Sequence, residues 1–190
     1  KARAAVYKME PDGQTMLITG FPSTVIGELI YAGEYKSTGF TFLHGVIEAD
    51  DQLVVVATSN PIKTFAELIA ESKKKPIKLS TAGTGTTDHL AAVLLKAKTG
   101  LQFDLVPFDS TADQFTALLG NKVAVMMDAV STAGTRDDVR VLVLLADEKN
   151  PMMPGVQTTK EAGFPGVSMQ YALALVAPPV FNVIVPVPAA

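Results

Sequence analysis

The chain has 190 residues, enough for one large domain or two small lobes, and at 48% hydrophobic with 18% charged residues it is a folding sequence rather than a disordered one. Its net charge of −3 comes without any basic stripe, because "ESKKKP" is the sole cluster, so nucleic-acid binding is excluded as the leading role. It contains no cysteine, which removes disulfides and thiolate metal sites, and no apolar run approaches the ~18 residues that a membrane helix needs.

In chain order, "KARAAVYKM" reads as the end of an Ala-rich helix stopped by Pro11. No leader-like segment precedes it, as a processed or trimmed chain would read. "PDG" is a turn signal, and "TMLITG" is a short apolar strand ending at Gly20. Ser23 or Thr24 is expected to cap the short helix that follows. "FTFLHGVIEADDQLVVVATS" predicts two strands, Phe40 to Ile47 and Gln52 to Thr58, broken at Glu48 to Asp51. "NPIKTFAELIAESKKKP" is the clearest helix. Thr64 and Glu67 form a capping box in which each side chain meets the other's free amide. Lys73, Lys74 and Lys75 lie where the helix dipole favours cations, and Pro76 ends it.

Strands and helices then alternate. The strand Lys78 to Ser80 leads into a helix over Thr87 to Thr99, closed by Gly100. "FDLVPF" is a strand. Ser110 and Asp113 cap a helix over Thr111 to Leu119, closed by Gly120. "VAVMMDAV" and "VRVLVLLA" are apolar runs typical of strands covered on both faces, and "GVSMQYALALVAPP" is one more long strand. This order predicts an α/β sheet with right-handed crossovers. The strands Gln52 to Thr58 and Ser168 to Ala177 bracket the alternating part. Set side by side they would make a hinge, with strand-to-helix loops opening into a cleft between two lobes. The expected division is 1–58 for a partial first lobe, 59–168 for the second lobe, and 169–190 for the return to the first.

One loop carries the chemistry. "STAGTGTTDHL" sets Ala82, Gly83, Thr84, Gly85, Thr86 and Thr87 at the mouth of a helix. Exposed amides, the positive end of the dipole, close approach at the glycines and threonine hydroxyls together make an anion seat for a carboxylate or phosphate. The competing account is a tight turn in which Thr86 only caps the helix. The lysine of a nucleotide P-loop is missing, and the glycine spacing fails the dinucleotide fingerprint. His44 and His89, the two histidines, have no metal-binding spacing, and His89 is expected to pack inside or bond a backbone group. No nucleophile–base set is legible. Asp128, at the end of a buried strand, either faces the cleft or caps the segment from Ser131. Three classes of function remain open from these residues: a solute receptor, an enzyme that holds a phosphate on the Gly/Thr loop, and the effector-binding domain of a transcription regulator.

The ordered set of stretches is more specific than any one of them. "PDGQTMLITG", then "NPIKTFAELIAESKKKPIKLSTAGTGTTDHL", "VPF", "LLGNKVAVMMD" and "VQTTKEAGFPG" follow one another from Pro11 to Pro178. The chain thereby resembles the tripartite tricarboxylate transporter substrate receptors, the Bug-type extracytoplasmic solute receptors. It departs from the pattern at Gln157–Thr158, where a Pro-Thr pair is usual, and at Phe108, Asp109 and Ser110, where V-P-Y-x-G is usual. The resemblance also implies a longer chain, with a further strand, Gly-rich loop and helix before "PDG" and helices after "FNVIVPVPAA". It implies a two-lobe type II periplasmic binding fold and a receptor, not an enzyme, that needs no cofactor and no metal. Such a receptor would be a monomer that captures a small organic carboxylate and delivers it to a membrane permease in the periplasm, its signal peptide lying outside this sequence. By motif position, Ala82 to Thr87 carry the second-lobe half of the ligand site, Gly20, Phe21, Pro22 and Ser23 another cleft loop, and Asp128 the acidic strand end.

Overall fold

The computed structural model describes residues 2–30 and 34–179, and the stretch "FNVIVPVPAA" lies outside them. Two compact units emerge, one of residues 1–48 with 172–190 and one of residues 49–171.

In the first unit, helix α1 (Ala2–Tyr7), strand β1 (Leu17–Phe21), helix α2 (Ser23–Ile30) and a short 3₁₀ turn at Ser37–Gly39 precede the long strand β2 (Thr41–Ala57). β1 pairs antiparallel with the last strand, β7 (Gln170–Ala177), in the register Leu17 to Val176 through Phe21 to Ala172. A small core of Ala4, Tyr35, Phe40 and Val176 holds it, with the Tyr7 and Phe40 rings edge to face at 5.2 Å. Ser23 and Thr24 do not cap α2. Both lie inside the helix, and their hydroxyls turn back to donate to the Gly20 carbonyl, at 3.0 and 2.6 Å.

The second unit runs from the far part of β2 through α3 (Phe65–Lys74), β3 (Ile77–Thr81), α4 (Thr87–Thr99), β4 (Phe103–Pro107), α5 (Thr111–Leu119), β5 (Val125–Ala129), α6 (Val130–Ala133) and β6 (Val139–Leu144). β3 pairs parallel with β4 and β5, and β2 pairs antiparallel with β5 and β6, so the sheet is mixed. Its strands are covered on both faces, which is why they read as unbroken apolar runs. Val54, Val56, Val125 and Met127 pack with Phe65 and Leu68 of α3 and Leu95 of α4. Leu53, Val55 and Met126, one residue out of phase, pack with Phe115 and Leu118 of α5. Each fully buried Leu or Phe contributes roughly 1.5–3 kcal/mol over an exposed one.

Three expectations are corrected here. A single strand, Thr41–Ala57, stands where two were expected, because Asp50 and Asp51 at its middle are accommodated rather than turned outward. Asp51 accepts from the Asn150 and Gln170 side chains at 2.8 and 3.0 Å, and Asp50 accepts from the Ser131 amide at 3.2 Å. The first unit closes at residue 48 rather than 58, since Leu53 to Ala57 belong to the second unit's core. The capping box is shifted: Thr64 accepts the Glu67 amide at 3.2 Å, but the Glu67 carboxylate takes the amide of Lys63, at 2.6 Å, and not that of Thr64. Two helix ends match their signals. Gly100 stands in the left-handed region at φ 73 after α4, and Ser110 accepts the Asp113 amide at 3.1 Å before α5. After α5, however, the left-handed residue is Asn121 at φ 55, one past Gly120.

Candidate functional site

The Gly/Thr loop joins β3 to α4 in the second unit. β3 ends in the buried residues Ser80 and Thr81, and the Thr81 carbonyl takes the Phe108 amide at 2.9 Å, which holds the next strand-end loop beside it. Two glycines then adopt φ values closed to most side chains, Gly83 at 104 and Gly85 at 80. Thr86 caps α4: its hydroxyl accepts the His89 amide at 3.4 Å and donates to the Gly83 carbonyl at 2.8 Å. The bland account of the loop is thus true of Thr86.

That leaves the question of which amides are spare. The Ala82 amide goes to the Asp88 carboxylate at 3.1 Å, and the Gly85 amide to Nδ1 of His89 at 3.3 Å. The Thr86 amide makes a long bond, 3.5 Å, to the Gly83 carbonyl. Among the described residues the amides of Gly83, Thr84 and Thr87 have no acceptor. Thr84 is exposed, while Thr87 is buried. Donors concentrated at a helix start, with no lysine or arginine among the described residues bonded to the loop, describe a seat for a single oxyanion. His89 serves the loop by fixing Gly85.

Behind the loop lies a buried polar group that the sequence pattern hid. Asp88 is half-buried, and its Oδ2 also accepts from Nε2 of the fully buried Gln114 on α5, at 3.5 Å. Burial pushes the Asp88 carboxyl up to about 6, helped by the charge of Asp128, while the Ala82 and Gln114 bonds pull it down. Asp128, at the end of β5, is 6% exposed. Burial raises its carboxyl as well. The Thr132 hydroxyl and the Ala129 amide oppose the rise, Asp50 adds to it and Arg136 opposes it. Asp128 does not cap the segment from Ser131; Asp50 does. Several buried polar atoms here have no partner: Ser80 Oγ, Thr81 Oγ1, Gln114 Oε1, Asp50 Oδ2 and Asp128 Oδ2. Gln114 was missed because one glutamine in an amphipathic helix carries no sequence signal. Among the described residues no group of three acidic, histidine or cysteine side chains is arranged to hold a metal ion. None of their helices is long and apolar enough to cross a membrane.

Gly20, Phe21, Pro22 and Ser23 belong to the first unit, and Ala82 to Thr87 with Asp128 belong to the second. The Phe21–Pro22 bond is cis, and Gly20 is buried at the strand end. Arg3 reaches this segment from α1, donating to Thr19 Oγ1 and Ser23 Oγ, both at 2.9 Å. Arg3 carries no signal in the sequence, since its partners are sixteen and twenty residues away.

Comparison with known proteins follows the same line. Residues 2–185 match the family described as tripartite tricarboxylate transporter family receptor. A curated relative from Cupriavidus necator, a UPF0065 protein in the gbd 5' region, is 34% identical over 129 residues, 66% of this chain and 39% of that protein. The solved periplasmic binding protein BugD is similar with a TM-score of 0.84 at 21% identity, covering 95% of this chain and 62% of that one. The R. palustris protein Rpa4515, solved with adipate, gives 0.81 at 26% identity, covering 93% and 61%. The chain therefore spans less than two thirds of the length of each of these relatives.

Proposed function

The chain belongs to the tripartite tricarboxylate transporter receptor family, and from that premise we propose that it is a solute-binding receptor that captures a small organic carboxylate and delivers it to a membrane permease. The observation that carries this reading is the β3–α4 loop, where the amides of Gly83, Thr84 and Thr87 stay unengaged at a capped helix start. A carboxylate held by neutral donors binds without the several kcal/mol per ion that desolvating a salt bridge costs. It can also be released again, as delivery demands. Ala82, Gly85 and Thr86 shape the loop through the bonds they already make. Gly20, Phe21, Pro22 and Ser23 carry the first unit's ligand contacts in this reading, and Asp128 lies behind the second unit's seat. The protein works in the periplasm, as a monomer, without catalysis, cofactor or metal. Adipate in the R. palustris relative supports the ligand class. Nothing in the loop favours a phosphate-holding enzyme: among the described residues no lysine or arginine bonds it, and its two nearest titratable groups, Asp88 and His89, are occupied as structural acceptors.

Calorimetry of the chain against adipate, a hydroxy-dicarboxylate, a tricarboxylate, an aromatic monocarboxylate and free amino acids tests the proposal. Saturable one-site binding of at least one is expected, with affinity unaltered after chelator treatment. No binding across the panel, or binding that zinc or calcium restores after chelation, would refute it.

A further inference from the structure

Arg3 is a cation without an anion. Its Nε donates to Thr19 Oγ1 and its Nη2 to Ser23 Oγ, both at 2.9 Å, and Nη1 has no hydrogen-bond partner among the described residues. The two hydroxyls it meets are neutral, and each already has a place in a local network. Ser23 Oγ donates to the Gly20 carbonyl at 3.0 Å. Thr19 Oγ1 bonds Thr24 Oγ1 at 2.8 Å, and Thr24 Oγ1 donates to the same carbonyl at 2.6 Å. The elements that hold Arg3 offer no counter-ion. α1 and β1 contain no acid. The one acid of α2, Glu28, is committed elsewhere: it accepts from the Ser37 amide and hydroxyl at 2.7 and 2.6 Å. No salt bridge among the described residues includes Arg3.

Arg3 is half-buried. A charge drawn from water without an opposite partner is costly, and bracing two hydroxyls needs a donor but no charge. A guanidinium has five N–H donors in a planar fork. Two are engaged here, so three are left, on Nη1 and Nη2.

We propose that Arg3 is the first unit's anion contact, the free end of its fork taking a carboxylate of the ligand beside Gly20–Ser23, and that it sets a preference for ligands with two anionic groups. The proposal rests on the reading of Gly20 to Ser23 as ligand contacts. Thr19 and Ser23 then act as a frame. They fix the plane of the guanidinium before the ligand arrives, so less side-chain freedom is lost on binding. The fork matches the two oxygens of a carboxylate, and such charge-assisted pairs are stronger than neutral ones. Because Arg3 is half-buried already, part of its desolvation is met in folding. The two units differ in chemistry, since the second unit's loop offers neutral amides and the first unit offers a cation. A single carboxylate satisfies one of these donor sets; a second one supplies the counter-charge that Arg3 lacks.

Calorimetry comparing adipate with its monoamide tests this on the native chain, Arg3→Gln and Arg3→Lys. Arg3→Gln should weaken adipate roughly 10- to 100-fold and the monoamide far less, so that the ratio between them collapses. Arg3→Lys keeps the charge but not the fork and should fall between. The salt dependence of adipate affinity should persist in Arg3→Lys and shrink in Arg3→Gln. A mere brace predicts equal losses for both ligands in both variants, in step with lowered stability in urea. That result, or an unchanged ratio, would overturn the proposal. A second probe separates it from the receptor reading. Side-chain nitrogen-15 NMR during titration with acetate, the smallest carboxylate probe, should show saturable shifts at Arg3 and none at Arg136 and Arg140, the other two arginines. Acetate shifts without adipate binding would support the Arg3 site and count against the receptor reading. Adipate binding that leaves the Arg3 resonances unmoved would overturn the site and leave the receptor reading standing, and no shift with either probe would overturn the site as well.

Discussion

Asp88 shows how much one side chain can carry without advertising itself. In the sequence it is the residue beside a histidine at a helix start, indistinguishable from a dipole-favoured surface acid. In the fold it is half-buried, tied to the Ala82 amide and to Gln114, and pushed up from 3.8 to about 6. The native state therefore binds this proton more tightly than the unfolded chain. Stability contributed at low pH is lost as pH rises from about 4 through about 6, and the penalty is full above that. Asp88→Asn should accordingly leave stability nearly unchanged at pH 4 and raise it by about 1–2 kcal/mol at pH 7.5, a figure reduced for partial exposure. Urea titrations at the two pH values read this; a variant less stable at pH 7.5 would contradict it. Thr86→Ala removes the α4 cap and the bond to the Gly83 carbonyl, at an expected cost of about 1 kcal/mol. Asp128 was read as either a site residue or a cap, and the cap is Asp50. No spacing rule distinguishes two buried acids on different strands that converge only in the folded sheet.

At the scale of elements, local signals were strongest where their physics is local. The α4 bounds, its left-handed Gly100 and the Ser110 cap were all legible, since each depends on residues within one turn. β2 was not. Its Glu-Ala-Asp-Asp stretch reads as a turn, and only partners at positions 131, 150 and 170 make a continuous strand possible there. This gives a sharp expectation. Asp51→Ala removes the two hydrogen bonds that Asn150 and Gln170 donate to a buried carboxylate and should cost roughly 2–3 kcal/mol. The measurement is the urea midpoint with the slope held constant. A loss below 0.5 kcal/mol, a surface-substitution value, would mean that the strand persists without this anchor.

For the molecule as a whole, the alternation of strands and helices was readable because a sheet covered on both faces imposes apolar strands and capped helices in order. The division into units was readable only approximately. Its lower boundary falls inside β2, at the Glu-Ala-Asp-Asp stretch, where the chain continues as strand and not as a linker. The site was legible as a motif and not as a network: the Gly/Thr loop stood out, while Gln114 behind it, and Arg3 beside Ser23 in the first unit, enter only through tertiary contact. A ligand that binds the folded state alone should raise the apparent stability by about 2.7 kcal/mol at a hundred times its dissociation constant. The central claim is that the loop amides seat a carboxylate, and the most direct measurement is amide NMR during an adipate titration. Saturable shifts that are largest at Gly83, Thr84 and Thr87 are predicted; adipate binding that leaves those three amides unmoved would contradict the account.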